Sequence, residues 1–213
     1  FSMREAIESD REAFMIQAAG LAEVPVRTNF NVAEGGITSF MPALIKKYPQ
    51  AGIKIVSTYA GNYKKGLPAV SATVLLADPE TGAVNALLDG TELTRMRTGA
   101  VSGLATELLA NETAEVGALF GTGGQAASQL EAVLTSRPLK EVRVYDMAPE
   151  RIADFIRRTA ETAAKFGTTL VSAGSPAEAV AEADVITTVT TSPEPVFDGT
   201  LVKAGAHINA VGT

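Results

Sequence analysis

Gly121-x-Gly123-x-x-Ala126, followed by Asp146, is the set of residues best placed by type and spacing to do chemistry. The first glycine permits a tight turn after a strand. The second lets the backbone approach a pyrophosphate, and the small third residue lets helix and strand pack closely. The helix that follows the turn Gly121-Thr122-Gly123 would offer free N–H groups and partial positive charge to phosphates. Asp146 stands 20 residues beyond Ala126, the spacing at which a carboxylate holds ribose hydroxyls. A glycine pattern alone is a weak signal. Here a strand precedes it, a helix follows, and an acid ends the next strand. A carboxylate at 146 accepts from a 2′-OH and repels a 2′-phosphate, so NAD is favoured, with NADP as the alternative.

Cations offer the next candidates. Lys54 sits mid-strand in an otherwise apolar or hydroxylic run, where it reads equally as an anchor for a substrate carboxylate or as a solvent-facing edge residue. Arg27 closes Pro25-Val-Arg27 and could grip a carboxylate at two points. Arg97 lies early in an expected helix, where a cation opposes the dipole, which hints at a bound anion. Arg95 and Arg151 read as solvated helix residues. Thr190-Thr191-Ser192 falls at the carboxyl end of an expected strand, the side on which open α/β sheets bind ligands; turn capping is the bland reading. His207, entering the last strand, reads as a satisfied core residue ahead of a catalyst.

Composition removes whole classes of chemistry. No cysteine occurs among the 213 residues, which excludes disulfides, Cys-ligated metals and a thiol nucleophile. A single histidine rules out a multi-His metal site and disfavours a Ser-His-Asp triad. The net charge of −6 gives no basic surplus for coating nucleic acid. No run reaches the ~20 apolar residues that span a bilayer, and no signal peptide opens the chain. The expectation is a cytoplasmic protein that binds a small molecule, with no membrane and no nucleic acid among its partners.

These residues need elements to hold them. Residues 1–21 carry a weak helical period with no capping residue ahead of it, so the helix is expected to begin upstream. β-prone runs follow at 24–30, 38–43 and 52–59, the last placing Ile53, Ile55 and Ser57 opposite Lys54, Val56 and Thr58. Runs 69–77 and 83–88 flank Asp78-Pro-Glu-Thr-Gly82 as a hairpin. Together they predict a mostly antiparallel sheet, closed by a helix over 93–110. Asn111-Glu-Thr is a polar break, which sets the expected domains at 1–110 and 111–213. Beyond it, strands at 115–120, 141–145, 168–172, 184–190 and 206–211 alternate with helices to about 134, over 149–166 and over 176–182. Ser175-Pro-Ala-Glu178 is a capping box. Such alternation builds a Rossmann-type parallel sheet, so the fold class is α/β, with a β-rich α/β domain in front of it.

The set Pro25-Val-Arg27, Met41-Pro-Ala43, Gly52-Ile-Lys54, Asp78-Pro-Glu-Thr-Gly82, Arg97-Thr-Gly-Ala100, Gly121-Thr-Gly-Gly-Gln-Ala126, Ala183-Asp-Val185 and Gly205-Ala-His-Ile-Asn-Ala-Val-Gly212 resembles, in order, the ornithine cyclodeaminase/mu-crystallin family. The resemblance covers essentially the whole chain. It implies a Rossmann domain joined to a domain that carries substrate and pairs into a homodimer through its sheet. It implies NAD(P)(H) and hydride transfer at the α-carbon of an amino acid or its imine, as in alanine dehydrogenases, ketimine and pyrroline-carboxylate reductases and ornithine cyclodeaminases. By position, Arg27 and Lys54 would bind the substrate carboxylate, and Arg97, Gly124, Gln125, Asp146, Thr190 and Val211 would line the cofactor. Two departures stand out. Ala69 occupies a position that carries a hydroxyl in ornithine-cyclising members, and the Asp those members use lies beyond the segment matching Ala210-Val-Gly212. Asp146 and Arg97-Thr-Gly-Ala100 look more like the alanine dehydrogenase branch. Family members are longer, so the resemblance implies a shortened chain. The second reading is a mu-crystallin-like protein that holds NADPH and a small ligand without turnover.

Overall fold

The computed structural model describes residues 1–32 and 35–212. It divides into two compact units, Arg11–Thr94 and, separately, Phe1–Asp10 with Arg95–Thr213. The sequence reading set its division at 110/111 instead. The difference has a packing cause. Helix α1 (Met3–Ala18) and helix α2 (Gly90–Leu109) each run across the division. Met3, Ala6 and Ile7 of α1 are buried with Ala100 and Leu104 of α2 and Ala132 of helix α3 (Ala126–Ser136). Glycine makes this contact close: a Cβ on Gly99 would stand 2.6 Å from the Ser128 carbonyl oxygen, and one on Gly103 2.8 Å from Ile7 Cδ1.

α1 also starts inside the chain. The Ser2 hydroxyl accepts from the Glu5 N–H at 3.3 Å, and the Ser2 N–H donates back to the Glu5 carboxylate at 2.6 Å. That is a capping box at a place where the weak helical period alone offers no cap. Asp89 does the same service for α2, accepting from the N–H groups of Thr91 and Glu92 at 2.8 and 3.3 Å. α2 therefore begins at Gly90 and not at Leu93.

The Arg11–Thr94 unit holds an antiparallel sheet of β1 (Ala22–Glu23), β2 (Thr28–Asn31), β3 (Ile37–Ile45), β4 (Gln50–Thr58), β5 (Val70–Ala77) and β6 (Val84–Asp89), in the order β1-β3-β4-β5-β6 with β2 also on β3. Of the expected strand over 24–30 only the end forms, as β2; residues 24–27, around Pro25, which has no N–H for the ladder, are not strand. β1, just before them, and β2 each pair with β3. The hairpin β5–β6 turns as expected: the Asp78 carboxylate accepts from the Glu80 and Thr81 N–H groups at 3.1 and 2.8 Å, and Gly82 takes a φ of +71°. A 3-10 segment over Ala60–Lys65 follows β4, where the sequence offered no periodicity to read.

The other unit holds a parallel sheet of β7 (Val116–Phe120), β8 (Glu141–Tyr145), β9 (Thr169–Ser172), β10 (Val185–Thr188) and β11 (His207–Ala210), ordered β11-β10-β7-β8-β9. Counted from β7, this is the 3-2-1-4-5 order of the dinucleotide-binding fold, with the order reversing between β7 and β10. Helices cover both faces, so the strands are apolar on both. Leu119, Val142, Val144 and Val185 bury against α3 and helix α4 (Pro149–Lys165), whose Ile152 and Phe155 join them. Ala118, Phe120 and Ile186 bury on the other face with Ala179 and Val180 of helix α5 (Pro176–Val180). The predicted cap at Ser175 is present, its hydroxyl accepting from the Glu178 N–H at 3.1 Å, while the Glu178 carboxylate takes the Gly174 N–H at 2.8 Å.

Candidate functional site

A cleft of about 430 Å³ opens at the carboxyl ends of β7, β8 and β10, lined among others by Gly121, Thr122, Gly123, Asp146, Arg151 and Thr190. Its size and its place at the reversal point suit a ligand. Gly121 ends β7 with a φ of +94°, and a Cβ there would meet Thr190 Cγ2 and the Val189 carbonyl oxygen, both at 3.0 Å. Gly123 and Gly124 have open space where a Cβ would point. No side chain caps the start of α3; the Ala126 N–H goes to the Gly123 carbonyl at 3.1 Å, and the free N–H groups left in the first turn are the ones that suit an incoming anion.

Asp146 follows β8, with its side chain only 10% exposed. Burial alone would raise its pKa. The Thr122 hydroxyl, the N–H groups of Ala148 and Thr122, and the charge of Arg151 outweigh burial and hold the carboxyl below its usual value. One carboxylate oxygen accepts from the Thr122 hydroxyl at 2.7 Å and the Thr122 N–H at 3.0 Å, and the other from the Ala148 N–H at 3.1 Å. Arg151 comes within 3.9 Å of it while staying 60% exposed. The arrangement is an ionised, oriented acceptor at the lip of a cleft floored by glycines and a helix start.

The other candidates fall around this centre unevenly. Gln125 and Ala126 belong to the turn into α3. Val211 follows β11, its N–H on the carbonyls of Thr188 and Asn209. Beside it Gly212 lies so close to β10 that a Cβ would stand 2.2 Å from the Thr190 carbonyl oxygen. Thr190 combines both sequence readings: it lines the cleft and its hydroxyl accepts from the Ser192 N–H at 3.2 Å. His207 is half-buried, its Nε2 3.0 Å from Asn209 Oδ1, while the buried Asn209 donates to Thr106 at 2.9 Å.

Arg97 needs a correction. Because α2 starts at Gly90, Arg97 stands beyond the first turn, where the helix dipole has faded, so a conflict with the dipole is no argument for an anion there. Its charge does act on Asp10 of α1, a residue that sequence reasoning passed over as one more helix-surface acid. Burial pushes the Asp10 carboxyl up to about 6, with the Arg97 charge pulling it down, and Asp10 Oδ2 is buried without a hydrogen bond. A folded pKa above the unfolded value of about 3.9 means the native state holds this proton more tightly. The stabilisation is complete below about pH 4 and is lost as pH rises through 6. Asp10→Asn is therefore expected to raise the melting temperature at pH 8, with the gain vanishing near pH 4. Equal gains at both pH values in thermal melts would refute it.

Arg27 and Lys54 belong to the Arg11–Thr94 unit. Arg27 is exposed in the link from β1 to β2. Lys54 is half-buried in the middle of β4, opposite Met41 on β3 and Val74 on β5. A lysine in the middle of an otherwise apolar or hydroxylic strand is the pattern that singles it out in the sequence; its cross-strand neighbours are apolar as well. Among the described residues no cluster of His, Asp and Glu could hold a metal ion, and no helix is long and apolar enough to cross a membrane.

The family model described as the ornithine cyclodeaminase/mu-crystallin family matches residues 1–213. The chain is 36% identical over 211 residues to an alanine dehydrogenase of Archaeoglobus fulgidus, covering 99% of this chain and 63% of that protein. It is 40% identical over 193 residues to the ketimine reductase mu-crystallin of Mus musculus, covering 88% of this chain and 58% of that one. In structure it is similar to the Thermococcus litoralis Δ1-pyrroline-2-carboxylate reductase solved with NADH and L-proline, with a TM-score of 0.91 and 40% identity over 98% of this chain and 64% of that one. The chain thus spans less than two thirds of the length of these relatives.

Proposed function

The chain belongs to the ornithine cyclodeaminase/mu-crystallin family, and from that premise we propose that it works as an NAD(P)-dependent oxidoreductase acting at the α-carbon of an amino acid or its imine, cyclic imines included. The observation that carries this reading is Asp146, ionised and fixed at the lip of a glycine-floored cleft. The residues fit the cofactor. Open space over Gly123 and Gly124 leaves room for a pyrophosphate, the start of α3 carries no side-chain cap, and Asp146 Oδ1, with one N–H donor, keeps a lone pair for a ribose hydroxyl. The same carboxylate disfavours a 2′-phosphate, so NAD is preferred.

When bound, the nicotinamide supplies the hydride chemistry; the chain supplies position and electrostatics. Arg27 and Lys54 are assigned to the substrate carboxylate, which fixes the α-carbon for transfer. Arg97, Gly124, Gln125, Thr190 and Val211 are assigned to the cofactor. The β-rich unit is assigned to substrate binding and to pairing with a second copy. Phe30 (55% exposed) and Leu87 (70% exposed) support the pairing, since they share one sheet face with Phe40, Ile55 and Leu75. An archaeal alanine dehydrogenase similar to this chain is itself solved as a dimer with bound NAD. A monomer mass by light scattering on the full chain would count against the pairing.

The test of activity is nicotinamide absorbance during incubation of the full chain with pyrroline-2-carboxylate, with pyruvate and ammonia, and with alanine or ornithine in the oxidative direction. Turnover of at least one, faster with NAD(H) than with NADP(H), is expected. Tight NADH binding without any turnover would replace this reading with that of a binding protein.

A further inference from the structure

We propose that Thr122 is a positioning residue for cofactor choice, acting through Asp146 and not on the phosphates. The proposal rests on the reading of the cleft as a dinucleotide site. By its place in the glycine turn Thr122 would be counted among the phosphate-binding residues. Its geometry says otherwise. A hydroxyl has one proton to donate, and the Thr122 hydroxyl gives it to Asp146 Oδ2 at 2.7 Å. The Thr122 N–H goes to the same oxygen at 3.0 Å. Both polar hydrogens of a residue only 6% exposed are thereby committed to one carboxylate oxygen, leaving none for a phosphate.

What this does to Asp146 follows from hydrogen-bond chemistry. Two donors from Thr122 on one oxygen and the Ala148 N–H on the other, at 3.1 Å, fix the rotation of the carboxylate. They also stabilise its ionised form, since hydrogen bonds to a carboxylate favour the charge. A freely rotating acid could turn away from a 2′-phosphate or meet it protonated. The pinned one presents the same charge to every ligand, so it accepts a ribose hydroxyl and repels a phosphate. Thr122 would in this way set the contrast between the two nucleotides without touching either.

The experiment is a fluorescence titration of the full chain and of Thr122→Val and Thr122→Ser with NADH and with NADPH, from pH 5 to pH 8. Valine keeps the shape and removes the hydroxyl. Thr122→Val is expected to weaken NADH binding by roughly two- to tenfold, the range of one net hydrogen bond, and to leave NADPH binding unchanged or tighter. The preference for NADH should also fade at a higher pH than in the parent, because the carboxyl has lost a donor. Thr122→Ser should restore both the preference and its pH dependence. Equal weakening of both nucleotides by valine, or an unchanged ratio, would overturn the proposal and leave Thr122 a structural residue. If the parent chain binds neither nucleotide, the dinucleotide reading itself fails; a parent that binds NADH while valine leaves the ratio intact fails this proposal alone.

Discussion

Replacing Asp146 with alanine is expected to weaken NADH binding by roughly ten- to a hundredfold. Hydrogen bonds to a charged group contribute about 1.5–3 kcal/mol, and each 1.4 kcal/mol is tenfold in affinity. The lost acceptor is ionised, since the donors around it hold the carboxyl below its usual value. Removing it strips the ribose of its partner. It also leaves the Thr122 hydroxyl and the Ala148 N–H without theirs. NADPH should suffer far less, because the repulsion of its 2′-phosphate goes with the carboxylate, so the preference should narrow or reverse. Titration of both nucleotides into Asp146→Ala, with thermal melts to confirm folding, checks this. Parallel losses for the two would show that 146 supports the turn and does not read the ribose.

That site was legible because three independent signals converge on one loop. The strand Val116–Phe120, the glycines and the acid ending Glu141–Tyr145 each have a local physical cause, and the parallel sheet follows from the alternation around them. Cap chemistry was harder to see. Ser2 and Asp89 each set a helix start, yet neither stands before a strongly periodic run, and α1 carries only a weak apolar stripe. The misplaced start of α2 then carried through to Arg97, whose argument depended on lying in the first turn. Asp10 was invisible for a different reason. A carboxylate on a helix reads as solvated unless its neighbours are known, and those neighbours come from α2, about ninety residues away in sequence. Pro25 did announce that the first half of the run over 24–30 is not strand, since a residue without an N–H cannot continue a ladder. The run around it was apolar enough to hide that. The role of Thr122 lay outside any motif, because the pattern marks the position and not the direction of its hydroxyl.

Lys54→Ala should lower kcat/KM by roughly ten- to a hundredfold. The amine lies in a row with Met41 and Val74 across the antiparallel sheet, and the family resemblance places it on a substrate carboxylate. If it holds the substrate carboxylate, its loss removes a charge-assisted contact of about 1.5–3 kcal/mol. It also lets the α-carbon wander from the hydride path, so kcat should fall as well as 1/KM. NADH affinity should barely move, because the glycine turn and Asp146 belong to the other unit. Steady-state kinetics alongside NADH titration separates the outcomes. Unchanged kinetics would make Lys54 a solvent-facing strand residue, and equal loss of both ligands would point to damaged folding.

If the cleft at the ends of β7, β8 and β10 holds NAD with its ribose on Asp146, a crystal structure of the full chain with NADH will show it most directly. A pyrophosphate over Gly123 and Gly124 at the start of α3, and a ribose hydroxyl within hydrogen-bond distance of the Asp146 carboxylate, are expected. A dinucleotide bound elsewhere, or one in this cleft with its ribose turned away from Asp146, would contradict it.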